Sequence, residues 1–232
     1  MKTQLKRWLA GIVAMLMIVA TVFGEGQTQT SQAAGMPVVQ YRVHVQKKGW
    51  TDFVSSGVAG TTGQALRLEA IQINVSGVEG LGIRYCVHGQ TYGWQEYRQD
   101  GQIAGTTGKA KRMEAIRIEL TGAQKDNYDV YYRVHAQTYG WLNWAKNGEA
   151  AGTKGYAKRL EALEIRILPK GSAKPEGTGE TFVERKELSM QAHVQTYGWQ
   201  AANNSVLRTT GKGKRLEAIT INPIGYDFNV EY

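Results

Sequence analysis

Apolar and polar positions alternate from Val39 onward: Val39, Tyr41, Val43 and Val45 point one way, and Gln40, Arg42, His44 and Gln46 the other. The pattern returns in Ile83, Tyr85 and Val87, and again in Val130, Tyr132 and Val134. β-Branched and aromatic residues at period two predict half-buried strands. A glycine then precedes a tryptophan, at Gly49-Trp50, Gly93-Trp94, Gly140-Trp141 and Gly198-Trp199, which predicts a tight turn or bulge with positive φ. A second segment starts at each tryptophan and closes in AGTTG (residues 59–63 and 104–108) or AGTKG (151–155); the fourth copy keeps only Thr209-Thr210-Gly211. The third segment breaks phase. Leu68 and Ala70 share one face, but Ile71 and Ile73 share the other, and the switch recurs at Met113, Leu160 and Leu216. Either a bulge rotates the strand there or both faces are buried.

The chain is therefore four copies of one three-stranded unit, its tryptophans spaced by 44, 47 and 58 residues, the mark of a repeat architecture. The expected fold is all-β with negligible helix: four pseudosymmetric repeats in a prism- or propeller-like ring. The alternative is a three-repeat pseudo-threefold domain with the fourth repeat docked on it. Repeats one to three occupy residues 36–168 and repeat four residues 182–232. Between them, residues 169–181 (PKGSAKPEGTGET) read as an exposed loop or linker. Residues 229–232 (NVEY) match 38–41 (VVQY) and suggest closure or capping of the array.

Residues 1–33 read as a signal peptide. Lys2, Lys6 and Arg7 precede an apolar run over residues 9–23, and Ser31-Gln32-Ala33 offers a cleavage site. The run is shorter than the roughly 20 residues needed to span a bilayer, so a secreted, extracellular protein is expected, with no transmembrane segment once the leader is removed. Losing Lys2, Lys6, Arg7 and Glu25 leaves +6 of the formal +8. A basic exported protein is drawn to polyanions, an anionic cell-wall polymer among them. Cys86 is the single cysteine, so no intrachain disulfide forms and a core must hold the fold.

The strings VHVQKKGW (from Val43), VHGQTYGW (Val87), VHAQTYGW (Val134) and AHVQTYGW (Ala192) are followed by RLEAI, RMEAI, RLEAL and RLEAI (from Arg67, Arg112, Arg159 and Arg215). This compound motif resembles the clostridial hydrophobic repeat with a recurring tryptophan, the ChW repeat, across essentially all of residues 41–232. The resemblance implies an exported protein of a Gram-positive, clostridia-like bacterium, displayed at or near the cell surface, with adhesion and glycan or protein binding as its role. Two departures stand out. Lys48 replaces the tyrosine found as Tyr92, Tyr139 and Tyr197, and Ala202 stands where the others have Phe53, Tyr97 and Trp144.

Four histidines, His44, His88, His135 and His193, share one repeat position opposite the valines. They read either as ligand contacts or as structural hydrogen bonds, and their spacing is not that of a metal site. The tryptophans Trp50, Trp94, Trp141 and Trp199 serve either as stacking platforms for sugars or as core plugs; their recurrence favours core, hence repeat framework. The variable aromatics Tyr92, Tyr97, Tyr139, Trp144 and Tyr197, with His88 and His135, are then the ligand-binding candidates. Glu69, Glu114, Glu161 and Glu217 fall beside the isoleucines if the strand is regular, where a carboxylate needs a partner; they are assigned to the framework too. Cys86 occurs in one repeat only, and no catalytic signature is present. The expectation is a non-catalytic surface protein that contacts glycans or proteins, with no cofactor, no metal and no nucleic acid. A scaffolding protein without a small ligand is the alternative, and a glycan-active enzyme is less favoured.

Overall fold

The structure, a computed structural model, describes residues 35–201 and 211–224. The leader, Ala202, Thr209-Thr210 and the 229–232 match to the first strand lie outside the described residues. Repeat one contains β1 (Val38–Val45), β2 (Gly49–Trp50), β3 (Val58–Gly60) and β4 (Leu68–Ser76). Repeat two contains β5 (Gly82–Gly89), β6 (Gly93–Trp94), β7 (Arg98–Gln99), β8 (Ala104–Gly105) and β9 (Met113–Thr121). Repeat three follows with β10 (Tyr128–Ala136), β11 (Gly140–Trp141), β12 (Ala145–Lys146), β13 (Ala151–Lys154) and β14 (Leu160–Pro169). β15 (Phe182–Glu184) follows the linker. Repeat four supplies β16 (Glu187–Val194), β17 (Gly198–Ala201) and β18 (Leu216–Ile224). Among the described residues the only helical element is a 3₁₀ turn at Lys125–Asn127. The protein is all-β.

Each repeat is built on an antiparallel pair of long strands: β1 with β4, β5 with β9, β10 with β14 and β16 with β18. Every pair carries the same bulge. His44 faces Ala70 while Val45 faces Leu68, so Glu69 is the extra residue. Glu114, Glu161 and Glu217 are the extra residues of the other three pairs. The bulge explains the break in phase, because it turns Leu68 and Ile71 into the same core although they are three apart. The four residues Leu68, Glu69, Ala70 and Ile71 are all buried, so the two expected causes of the break act together.

The repeats then exchange strands in a cycle. β8 of repeat two adds to β4 of repeat one, β13 of repeat three adds to β9 of repeat two, and β3 of repeat one adds to β14 of repeat three. The register is the same each time, with Gly105 opposite Ala70, Gly152 opposite Ala115 and Gly60 opposite Ala162. Only glycine fits this approach. A Cβ on Gly105 would stand 2.5 Å from the Glu69 carbonyl oxygen, and φ at Gly60, Gly105 and Gly152 is 109°, 94° and 126°. Three tyrosines close the centre by the same rule. The hydroxyls of Tyr41, Tyr85 and Tyr132 donate to the Gly57, Gln102 and Glu149 carbonyls of their own repeats. Each also accepts an amide of the preceding repeat: Ile165 N–H at 3.2 Å on Tyr41, Ile73 N–H at 3.0 Å on Tyr85, and Ile118 N–H on Tyr132.

The cycle has three members, not four, so the topology follows the three-repeat alternative. Repeat four forms its own three-stranded sheet, β17-β16-β18, unpaired to the others among the described residues. Its Leu216 and Ile219 are 61% and 37% exposed, where their counterparts Leu68 and Ile71 are at 0%. At the glycine position of its second segment it has Arg208, preceded by Leu207 instead of alanine.

Candidate functional site

The bulge glutamate organises the outer face of every repeat. In repeat two, Glu114 accepts hydrogen bonds on Oε1 from Arg112 Nε (2.8 Å) and Nη2 (2.7 Å), and its Oε2 lies 3.1 Å from His88 Nδ1. Glu69 meets Arg67 and His44 in the same way, and Glu161 meets Arg159 and His135. The histidine approach has the distance of a hydrogen bond but not its alignment, so Nδ1 makes no linear bond in these three repeats. Burial alone would raise the Glu114 carboxyl, but the His88 and Arg112 contacts outweigh it and hold it below the usual range. In repeat four the pair is His193 Nδ1 and Glu217 Oε2 at 2.9 Å, and both side chains are exposed by more than a third.

Each histidine meets the edge or face of its repeat's tryptophan, with ring centroids 5.4–5.6 Å apart and planes at 74–83°. Arginines also stack on three of the tryptophans. Arg42 lies over Trp50 and Phe53, Arg117 over Trp94, and Arg133 over Trp141 and Trp144, all at 4.4–4.9 Å. Such contacts contribute about 0.5–1 kcal/mol each at half-exposed sites. Trp50, Trp94 and Trp141 are half-buried and Trp199 is 52% exposed, so these four are not core plugs. That role falls to Tyr41, Tyr85 and Tyr132, which are fully buried on the apolar faces of β1, β5 and β10. Their period was visible in the sequence, three residues before each repeat histidine.

Of the ligand-binding candidates, Tyr92, Tyr97, Tyr139 and Tyr197 are exposed. Tyr92, Tyr139 and Tyr197 sit in turns whose preceding threonines, Thr91, Thr138 and Thr196, hold φ of 68–77°. Tyr97 donates to Glu119 Oε1 at 2.7 Å beneath the Arg84 guanidinium. His88 and His135 are half-buried behind their tryptophans. Trp144 requires correction. It is 1% exposed, lies between Arg133 and Arg166, and donates its indole N–H to the Glu176 carbonyl at 2.9 Å. The linker that covers it is mostly exposed, as the sequence predicts, while residues 182–184, expected to open repeat four, pair with β13 of repeat three. Glu217 and Trp199 lack the burial of the other framework residues. Sequence reasoning missed the stacked arginines Arg42, Arg117 and Arg133; their place beside the tryptophan depends on cross-strand register, which no local pattern reports.

Among the described residues no cluster of three or more His, Cys, Asp or Glu is placed to hold a metal ion, and no helix is long and apolar enough to cross a membrane. Cys86 is buried, which pushes its thiol upward. An open groove of about 580 Å³ lies between repeats one and three, lined by Val39, Ser56, Glu164 and Arg166. Glu164 there is held by Arg133 and Arg166. The outer faces of repeats one to three thus offer indole, guanidinium and imidazole surface. No curated protein matches the chain, and no solved structure does. The family model for the clostridial hydrophobic W (ChW) repeat matches residues 44–77, 88–122, 135–169 and 193–223, each match opening on the repeat histidine. The chain belongs to the ChW family.

Proposed function

We propose that the protein is a non-catalytic, exported binding protein that holds glycans or proteins at the bacterial surface through its repeated aromatic and polar faces. The observation that carries this reading is the threefold recurrence of one outer face. In each, a half-exposed tryptophan contacts both a histidine and an arginine. Copies of a weak site on one rigid body gain avidity without new contacts. Titration of the full chain against a glycan array and isolated wall polymers tests the reading. Binding that is weakened by Tyr97→Ala and Trp141→Ala in chains with unchanged unfolding midpoints supports it. Absence of any ligand in these screens and in pull-downs of surface proteins overturns it.

A second reading, a scaffolding protein without a small ligand, is favoured by repeat four. Its exposed Leu216 and Ile219 lie where the other repeats receive a neighbour's strand. Concentration-dependent association in sedimentation, abolished by Ile219→Lys, distinguishes this reading from the first.

A further inference from the structure

One of the three equivalent seams of the ring is filled by the chain itself. Residues 176–184 run between repeats two and three, and β15 adds in parallel to the outer edge of β13, with Phe182 opposite Gly152 and Val183 opposite Thr153. Gly152 N–H donates to the Thr181 carbonyl at 3.0 Å, and Arg185 N–H to the Lys154 carbonyl at 2.9 Å. Phe182 packs against Trp94 with ring centroids 6.5 Å apart. Upstream, Asn143 donates its backbone N–H to the Glu180 carbonyl and its Nδ2 to the Gly179 carbonyl, both at 2.9 Å. The segment is therefore held by main-chain hydrogen bonds plus one aromatic anchor, which is how strand addition recognises peptides.

Among the described residues, the other two seams carry the same parts without the strand. β8 and β3 are the outermost strands of their sheets. Thr106 and Thr61 turn their N–H groups inward onto Glu69 and Glu161, so alternation turns the N–H groups of Gly105 and Gly60 outward, as at Gly152. Trp50 and Trp141 occupy the place of Trp94, and Tyr97 and Phe53 that of Trp144. The exposures record the missing cover: 1% at Trp144 against 38% at Tyr97 and 48% at Phe53. At the position of Asn143 the open seams have the exposed carboxylates Glu96 and Asp52, which accept where Asn143 donates.

We propose that these two seams are peptide-binding sites. Each takes an extended segment of a partner protein by parallel addition to β8 or β3. An aromatic residue of the partner packs on Trp50 or Trp141, and a basic residue pairs with Glu96 or Asp52. The inference rests on the binding-protein reading above and narrows its ligand to protein.

The test is calorimetric titration of the full chain with a synthetic peptide of residues 176–186 in which Glu180 is replaced by lysine. Saturable binding of two peptides per chain is expected. Phe182→Ala in the peptide should weaken it by about tenfold, through the lost aromatic contact. Arg185→Pro, which removes a donor to the sheet edge, should weaken it by a similar factor. Trp50→Ala and Trp141→Ala in the chain should each remove one site, with folding checked by the denaturant midpoint. Absence of binding at millimolar peptide to the folded chain overturns the proposal, as does binding indifferent to the Phe182 and Arg185 changes. Wall glycans that bind at Trp50 and Trp141 while the peptide does not would leave the binding-protein reading standing and overturn this one.

Discussion

Glutamate at the bulge is the residue on which each repeat turns. Glu114→Ala leaves Arg112 and His88 without their partner in a site that is 6% exposed, so a loss of about 2–3 kcal/mol is expected in urea unfolding. Glu217→Ala removes a pair exposed by more than a third, and less than about 1 kcal/mol is expected there. A comparable loss at both positions would show that burial is not what gives the pair its worth. Acid should expose the same chemistry. The folded-state carboxyl of Glu114 is lowered, and that of Asp129 falls to about 2; burial opposes the latter, but Lys146, Asn147 and Lys170 outweigh it. Groups lowered on folding stabilise fully above their unfolded-state values and lose that contribution as pH falls through the folded ones. The midpoint should therefore hold from pH 7 to about 5 and drop steeply toward pH 2, with a shallower drop in Asp129→Asn. The need for a partner was legible in the sequence, because the glutamate sat among apolar residues. The arginine two residues earlier and the histidine of the same unit were candidates in the sequence; that both act together follows from the bulge, which brings them to one side.

At the scale of the element, the Ala-Gly-Thr segment is where the sequence was read too modestly. As a turn it accounts for Gly63 and Gly108, whose added Cβ would meet nothing within 4 Å. It does not account for Gly60, Gly105 and Gly152, which lie in strands and approach the preceding repeat's backbone. The reason is physical. Strand exchange between units many residues apart leaves no local period, only a residue too small for its place. Gly105→Ala should cost about 3 kcal/mol or more, since both the Glu69 carbonyl and a positive φ oppose it, whereas Gly108→Ala meets only the φ penalty of about 1 kcal/mol. Paired denaturation curves settle this, and equal losses would mean that the close approach carries no strain of its own. Trp144 teaches the same lesson. Its variation between repeats points to a surface aromatic, and only the path of a later segment buries it.

For the whole molecule, the strands exchanged by repeats one to three make them a single cooperative body, while repeat four has its own sheet. Two transitions are expected in guanidinium, the smaller and earlier one belonging to repeat four. It should be followed by the fluorescence of Trp199, with Trp199→Phe abolishing that signal and leaving the later transition unmoved. One coincident transition by all probes would show that repeat four is energetically part of the ring. The repeat count, the all-β class and the long strands were plain in the alternation of Val39 to Val45 and its echoes. The choice of three over four was not, although Leu207-Arg208 in place of Ala-Gly is its trace in the sequence. The tyrosine belt carries this further. Every hydroxyl serves one carbonyl of its own unit and one amide of the unit before, so each member of the ring is at once host and guest. Such a circle has no vacancy to offer. Duplicating one unit in the gene cannot enlarge it and can only append a pendant, so lineages that lengthen these proteins usefully must add material in threes or find the pendant other work.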